Sequence, residues 1–194
     1  MQKKDVIEFF DHLAPQWDAD MIRHDDVIDT ILAGAGVKPG VRVLDVACGT
    51  GVLIPDYLKR NVKSVTGVDI SPEMVRIAQE KFQQENVRIL CADVESAEFD
   101  EKFDCVMVYN AFPHFPEPEQ LIRALCGHLA PGGSLTIAHG MSRAMIDHHH
   151  EGSASKVSVG LMSEHALAGM MRKYLDVTVK TSNDRMYQVT GVKK

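Results

Sequence analysis

Residues 43–51 read Val-Leu-Asp-Val-Ala-Cys-Gly-Thr-Gly, a run of strand formers that ends in a turn with two glycines one residue apart. No other stretch of the chain restricts the fold as much. A short, near-continuous apolar run suits a strand buried on both faces. A G-x-G turn straight after it lets backbone bend sharply and approach a ligand closely before a helix begins. The chain then repeats this unit. Strand-like runs at 41–46, 64–69, 87–91, 103–109 and 134–139 alternate with helical spacing, the pattern of a parallel sheet covered by helices.

Three apolar stripes mark helices between the runs. Met74, Val75, Ala78 and Phe82 lie behind Ser71 as a cap and Pro72 in the first turn. Leu121, Ile122, Leu125 and Leu129 form a second stripe, ended by Pro131-Gly132-Gly133, and Leu167, Met170, Met171 and Tyr174 behind Ser163 form a third. Runs at 175–181 and 186–192 flank Ser182-Asn183-Asp184-Arg185 and predict an antiparallel hairpin closing one sheet edge. Two amphipathic helices, near 6–13 and 25–35, come before the alternating core. The expected organisation is a single α/β domain, 1–194, with a Rossmann-like seven-stranded sheet, mostly parallel, and helices on both faces. Within it we expect a helical lid (1–35), a cofactor-binding core (36–139), a substrate-side insertion (140–162) and a helix with the terminal hairpin (163–194).

Charge and cysteine usage limit the partners. Twenty-one Lys+Arg against 27 Asp+Glu leave a net charge of −6, which disfavours nucleic acid because phosphate binding needs a basic face. No apolar run approaches the length of a membrane span, and MQKKDVIEFFDHL has no uninterrupted signal core. Cys48, Cys91, Cys105 and Cys126 show no CxxC pairing. Reduced, mostly buried thiols in a cytoplasmic protein are the expectation.

Helix N-termini favour anions, yet two details argue against a dinucleotide at the glycine turn. Ile54 stands where G-x-G-x-x-G has its third glycine, and Asp45 puts a carboxylate just before the turn. That carboxylate would repel a pyrophosphate and attract an ammonium. Asp69, twenty residues after Gly49 at the end of the second strand, can accept from both ribose hydroxyls. A ribose with an ammonium and no phosphate describes S-adenosylmethionine.

In these residues the sequence resembles the class I S-adenosylmethionine-dependent methyltransferases, over roughly 41–139. The D-V-A-C-G-T-G stretch is most similar to the branch containing ubiquinone/menaquinone C-methyltransferases and related small-molecule enzymes, which implies methyl transfer to a small-molecule acceptor. The resemblance implies that Ala47, Gly49 and Gly51 border the methionine part, with Asp45 near its amino group. It implies Asp69 as the ribose acid with Ile70 against the adenine. Asp93 would accept from the adenine amino group, followed by the backbone amide of Val94. Asn110, in Tyr109-Asn110-Ala111, would lie beside the reacting methyl. Trp17, the only tryptophan, would cover the sulfonium, whose charge suits an aromatic face. Ordinary core packing is the expectation for Phe9 and Phe10.

Residues just past the fourth and fifth strands should line the acceptor side, bringing His114 and His139 within a side chain or two of each other. A neutral histidine is poised to remove or orient a proton; a hydrogen-bonded histidine inside the sheet rim is the other reading. His149 lies in the His148–His150 run of the insertion, which would sit over the cleft. The same run leaves a competing function open: a donor-binding sensor or metal-handling protein. No metal ligand set is assigned, since neighbouring histidines rarely converge on one ion. The acceptor, and whether its reacting atom is carbon, nitrogen, oxygen or sulfur, stays open, as does the oligomeric state.

Overall fold

The computed structural model describes residues 1–150 and 156–194, and at His149 and His150 the backbone alone. Among the described residues the strands are β1 (Arg42–Val46), β2 (Ser64–Asp69), β3 (Val87–Cys91), β4 (Phe103–Tyr109), β5 (Leu129–His139), β6 (Asp176–Ser182) and β7 (Tyr187–Val192). They form one sheet in the order β3-β2-β1-β4-β5-β7-β6. The first five are parallel, and β7 runs antiparallel to both β5 and β6. The strand order reverses between β1 and β4, so a crevice opens beyond their carboxyl ends.

Strand alternation splits the core in two. Val43, Cys105, Met107 and Ala138 face one layer, filled by α3 (Asp25–Gly34), α4 (Ile54–Lys59) and α5 (Pro72–Lys81). Leu44, Val46, Val106, Val108 and Ile137 face the other, filled by α6 (Pro118–His128), α7 (Arg143–His150) and α8 (Glu164–Met171). The expected caps are present. Ser71 Oγ accepts from Met74 N at 3.2 Å, and Ser163 Oγ accepts from Ala166 N at 3.2 Å.

Several boundaries differ from the periodicity. Phe82 and Tyr174 fall just past the ends of α5 and α8. Leu129 is not helical: it opens β5 opposite Phe103, and the pairing then shifts register before Cys105 meets Ser134. Pro131-Gly132-Gly133, read as a helix stop, is absorbed into this irregular strand start, where Gly132 takes a φ of 73° that bulged backbone requires. Burial on both faces fails for β3. It is an edge strand, and only Ile89 of its five residues is buried. The hairpin is present, but β7 reaches inside it to pair with β5 and leaves β6 as the other edge.

The first 35 residues do two different things. Ile28, Ile31 and Leu32 of α3 are buried in the sheet layer. By contrast α1 (Lys3–Leu13) buries only Val6, and α2 (Trp17–Asp20) buries nothing.

Candidate active site

A cleft of about 1300 Å³, its open mouth included, lies beyond the ends of β1 to β4. Sheet register brings its acids together. Asp45 pairs with Gly67 inside the sheet, and Asp69 ends β2 opposite Cys91. Asp45 is 2% exposed. Burial pushes its carboxyl up to about 7; the nearby Tyr57 phenol opposes this and the charge of Asp69 adds to it. Asp69 is also raised by burial, partly offset by the backbone amides that it accepts. Its Oδ2 accepts from Gly49 N at 2.8 Å and its Oδ1 from Ser71 N at 2.9 Å. One carboxylate thus ties the glycine turn to the start of α5.

The turn itself is left-handed at Ala47 (φ 52°), Gly49 (φ 54°) and Gly51 (φ 86°). For Ala47 that conformation costs about 1 kcal/mol, a strain of the kind that gathers at ligand sites. A Cβ at Gly49 would meet nothing nearer than Trp17 Nε1 and Met74 Sδ, both at 3.9 Å, so the backbone here is an open cradle. Gly51 differs. It does not line the cleft, and a Cβ there would run into the Phe82 ring. Its glycine serves the φ and the packing.

Asn110 takes a φ of 54° at the end of β4; its N donates to Ala138 O at 2.9 Å and its Oδ1 accepts from Gly140 N at 2.9 Å. This side chain clips the ends of β4 and β5 together. Trp17, Ala47, Ile70, Asp93, Val94 and Asn110 all line the same cleft as Asp45, Gly49 and Asp69.

His114 ends a 3-10 turn, Phe112–His114, and also lines the cleft. Its Nδ1 is 2.7 Å from Val157 O. A carbonyl only accepts, so in the neutral ring Nδ1 carries the proton and Nε2 the lone pair. The Phe10 ring stands edge-on to His114 at 4.9 Å and to Trp17 at 5.7 Å. Phe10 is therefore a cleft residue and not the core residue that its apolar neighbours suggested.

His139 does not join His114. It is 2% exposed, packs edge-on to Tyr187 at 6.0 Å and is not among the residues lining the cleft. It shares the parity of Leu135 and Ile137 on β5, so it faces the α6–α8 layer. The side chain of His149 lies outside the described residues; His148 is exposed on α7. Among the described residues no three His, Cys, Asp or Glu groups cluster as a metal site.

Four N-terminal side chains absent from the sequence expectations reach the donor-side loops. Lys3 Nζ lies 2.5 Å from Asp93 Oδ2 and 2.7 Å from a Glu95 oxygen. Ser71 Oγ donates to Asp11 Oδ1 at 2.5 Å, and Thr50 Oγ1 to Asp18 Oδ1 at 2.6 Å. Arg23 donates to Val52 O at 2.8 Å and to Asp56 Oδ2 at 2.5 Å. On the sequence Asp11 falls in a helical stretch and Lys3, Asp18 and Arg23 lie outside the expected helices, with no periodic signal that separates them from solvated residues.

Residues 43–133 match the model of the family described as a methyltransferase domain. That match takes in just under half of the chain, so the similarity to methyltransferases holds for the glycine turn and the strands around it. A curated relative, the ubiquinone biosynthesis O-methyltransferase of Xanthomonas campestris pv. campestris, is 36% identical over 104 residues. That match takes in 52% of this chain and 43% of the relative, so less than half of the relative's length is spanned. Two solved structures share the methyltransferase fold over nearly the whole chain. The N-methyltransferase NodS from Bradyrhizobium japonicum, in complex with S-adenosyl-L-homocysteine, has a TM-score of 0.73 at 14% identity, covering 100% of this chain and 99% of its own. The [4+2]-cyclase SpnF also has a TM-score of 0.73, at 22% identity, covering 92% and 75%. None of the described helices is long and apolar enough to cross a membrane.

Proposed function

We propose that this chain catalyses S-adenosylmethionine-dependent methyl transfer to a small-molecule acceptor. The observation that carries the reading is the convergence of Asp45, Asp69, Asp93 and the open Gly49 cradle on one cleft. That set suits the donor's chemistry: an ammonium, a ribose and an adenine, with no phosphate to repel. When bound, the donor supplies an electrophilic methyl group on a sulfonium that is already an excellent leaving group.

The chain's own residues then bind and orient. Asp45 faces the ammonium, and Asp69 has lone pairs left for the ribose hydroxyls after holding Gly49 N and Ser71 N. Ile70 and Val94 flank the base, and Asp93 accepts its amino group. Trp17 turns an aromatic surface towards the positive sulfur. Asn110 holds the β4 end in place beside the reacting carbon. On the acceptor side His114 presents its Nε2 lone pair, fixed in orientation by the Val157 carbonyl, to orient the nucleophile or take its proton. Phe10 packs against that ring and keeps water from it. The net charge of −6 supports a small molecule in preference to a nucleic acid.

The fold alone does not choose a reaction, since a [4+2]-cyclase shares it. Calorimetric titration with S-adenosylhomocysteine, followed by transfer of a labelled methyl group to a panel of phenols, amines and thiols, tests the proposal. Micromolar binding with label transfer is expected. A folded sample that binds no S-adenosylhomocysteine overturns it, and binding without transfer to any acceptor class points instead to a donor-binding protein.

A further inference from the structure

We propose that Lys3 is a built-in competitor for the donor's adenine: its ammonium and the adenine amino group seek the same oxygen of Asp93. The inference rests on the reading that Asp93 receives the base. Of the two Asp93 oxygens, Oδ1 accepts from Glu95 N at 3.1 Å and Oδ2 accepts from Lys3 Nζ. Lys3 itself lines the cleft, together with Val6 of the same helix and Gln2 at its N-cap. An adenine seated beside Val94 with its amino group on Oδ2 therefore meets the lysine head.

The way α1 is fastened makes displacement cheap. Its only buried residue is Val6, so few apolar contacts resist a movement of the first turn. Its far end is held more firmly: Asp11 Oδ1 accepts from Ser71 Oγ and, at 3.1 Å, from Glu73 N at the start of α5. Lys3 and Asp11 are eight residues apart, about 12 Å along a helix axis. The helix is thus a lever with its fixed point at Asp11 and its contact on the adenine acid at Lys3. Glu95, whose side chain is 6% exposed, offers the displaced ammonium a second carboxylate, so Lys3 can leave Asp93 without becoming unpaired. Donor binding and the closed position of the first turn are then coupled through one carboxylate oxygen.

The Lys3 and Asp93 side chains are 46% and 28% exposed, so the pair is partly screened and its competition is modest. Removing it should tighten donor binding by about two- to fivefold. The experiment is calorimetric titration of S-adenosylhomocysteine into the wild-type chain, Lys3→Met and Lys3→Arg, each at low and high sodium chloride. Lys3→Met keeps the apolar stem on the cleft wall while losing the charge, and Lys3→Arg keeps the charge. Tighter binding by Lys3→Met, near wild-type binding by Lys3→Arg, and a wild-type affinity that rises with salt while that of Lys3→Met does not, is the expected result. Equal or weaker binding by Lys3→Met shows that the lysine closes over the donor as a clamp, or plays no part, and overturns the competition. If the wild type takes no S-adenosylhomocysteine, the reading of the cleft fails first and the competition with it. Should Lys3→Met not fold, Lys3→Gln with the same salt series decides the same question.

Discussion

The two sides of the cleft are built by different rules. On the donor side Asp45 and Asp69 sit in or at the end of strands whose neighbours are set by parallel pairing, and Asp93 follows the end of β3 by two residues. Their positions come from backbone hydrogen bonding, and the Asp69 carboxylate in turn holds the glycine turn and the start of α5. The acceptor side has no such frame. Phe10 comes from α1, His114 from a 3-10 turn and Val157 from the segment after α7; they meet through ring edges and a side-chain hydrogen bond, and Val159 N donates to Pro113 O at 2.9 Å beside them. On the proposed reading, donor contacts come from strand-paired positions, whereas acceptor contacts come from segments that can be repacked separately. A shared donor site can thereby serve many acceptors on one fold.

The largest contrast between the sides should come from Asp69. Replacing it by Ala strands Gly49 N and Ser71 N and removes the ribose acceptor, so S-adenosylhomocysteine should bind about a hundredfold more weakly. Calorimetric affinity within about threefold of wild type would break the claim that this acid organises the donor side. Gly51→Ala probes the frame without touching the cleft. A left-handed φ and the Phe82 ring together should lower unfolding stability by about 2–3 kcal/mol in urea titration, and an unchanged midpoint would refute the packing account.

Asp45 gives the donor side a pH dependence that the acceptor side does not share. Its folded carboxyl is raised to about 7, above the unfolded value near 4. The folded state therefore holds the proton more tightly, and this contribution to stability is lost as pH rises from about 4 through 7. Affinity for a cationic ammonium moves the opposite way. Between pH 6 and 7.5 S-adenosylhomocysteine binding should tighten by roughly five- to tenfold as Asp45 ionises, and Asp45→Asn should flatten the profile; a steep profile in the Asn variant would assign it to another group. The smallest effect is expected at Phe10. Because α1 is fastened mainly by polar contacts, Phe10→Ala should cost less than about 1 kcal/mol of stability while lowering methyl transfer. A loss of several kcal/mol would show that the aromatic cluster is core after all.

What could be read along the chain follows the same division. The glycine turn, the three acids, the Ser71 and Ser163 caps and the terminal hairpin were legible because each depends on residues a few positions apart. Histidine was the point of failure. His114 and His139 both follow apolar runs, and adjacency in the strand order suggested adjacency in space. Only the sheet's alternation sends His139 under Tyr187, while a 3-10 turn brings His114 back into the cleft. Phe10 failed in the other direction: an aromatic on an amphipathic helix reads as core until the helix is seen to lie over a crevice.

The parallel sheet, the turn that opens at its switch point and the acids around it follow from local residue order, because strand, turn and cap preferences act over a handful of neighbouring residues. Tertiary structure alone decided which distant side chains share the cleft. Lys3 meets Asp93 across 90 positions and Asp18 meets Thr50 across 32, contacts between polar groups that carry no periodic pattern. Such pairings are set by how a weakly buried helix packs across the finished sheet, and that packing exists only once the core has formed.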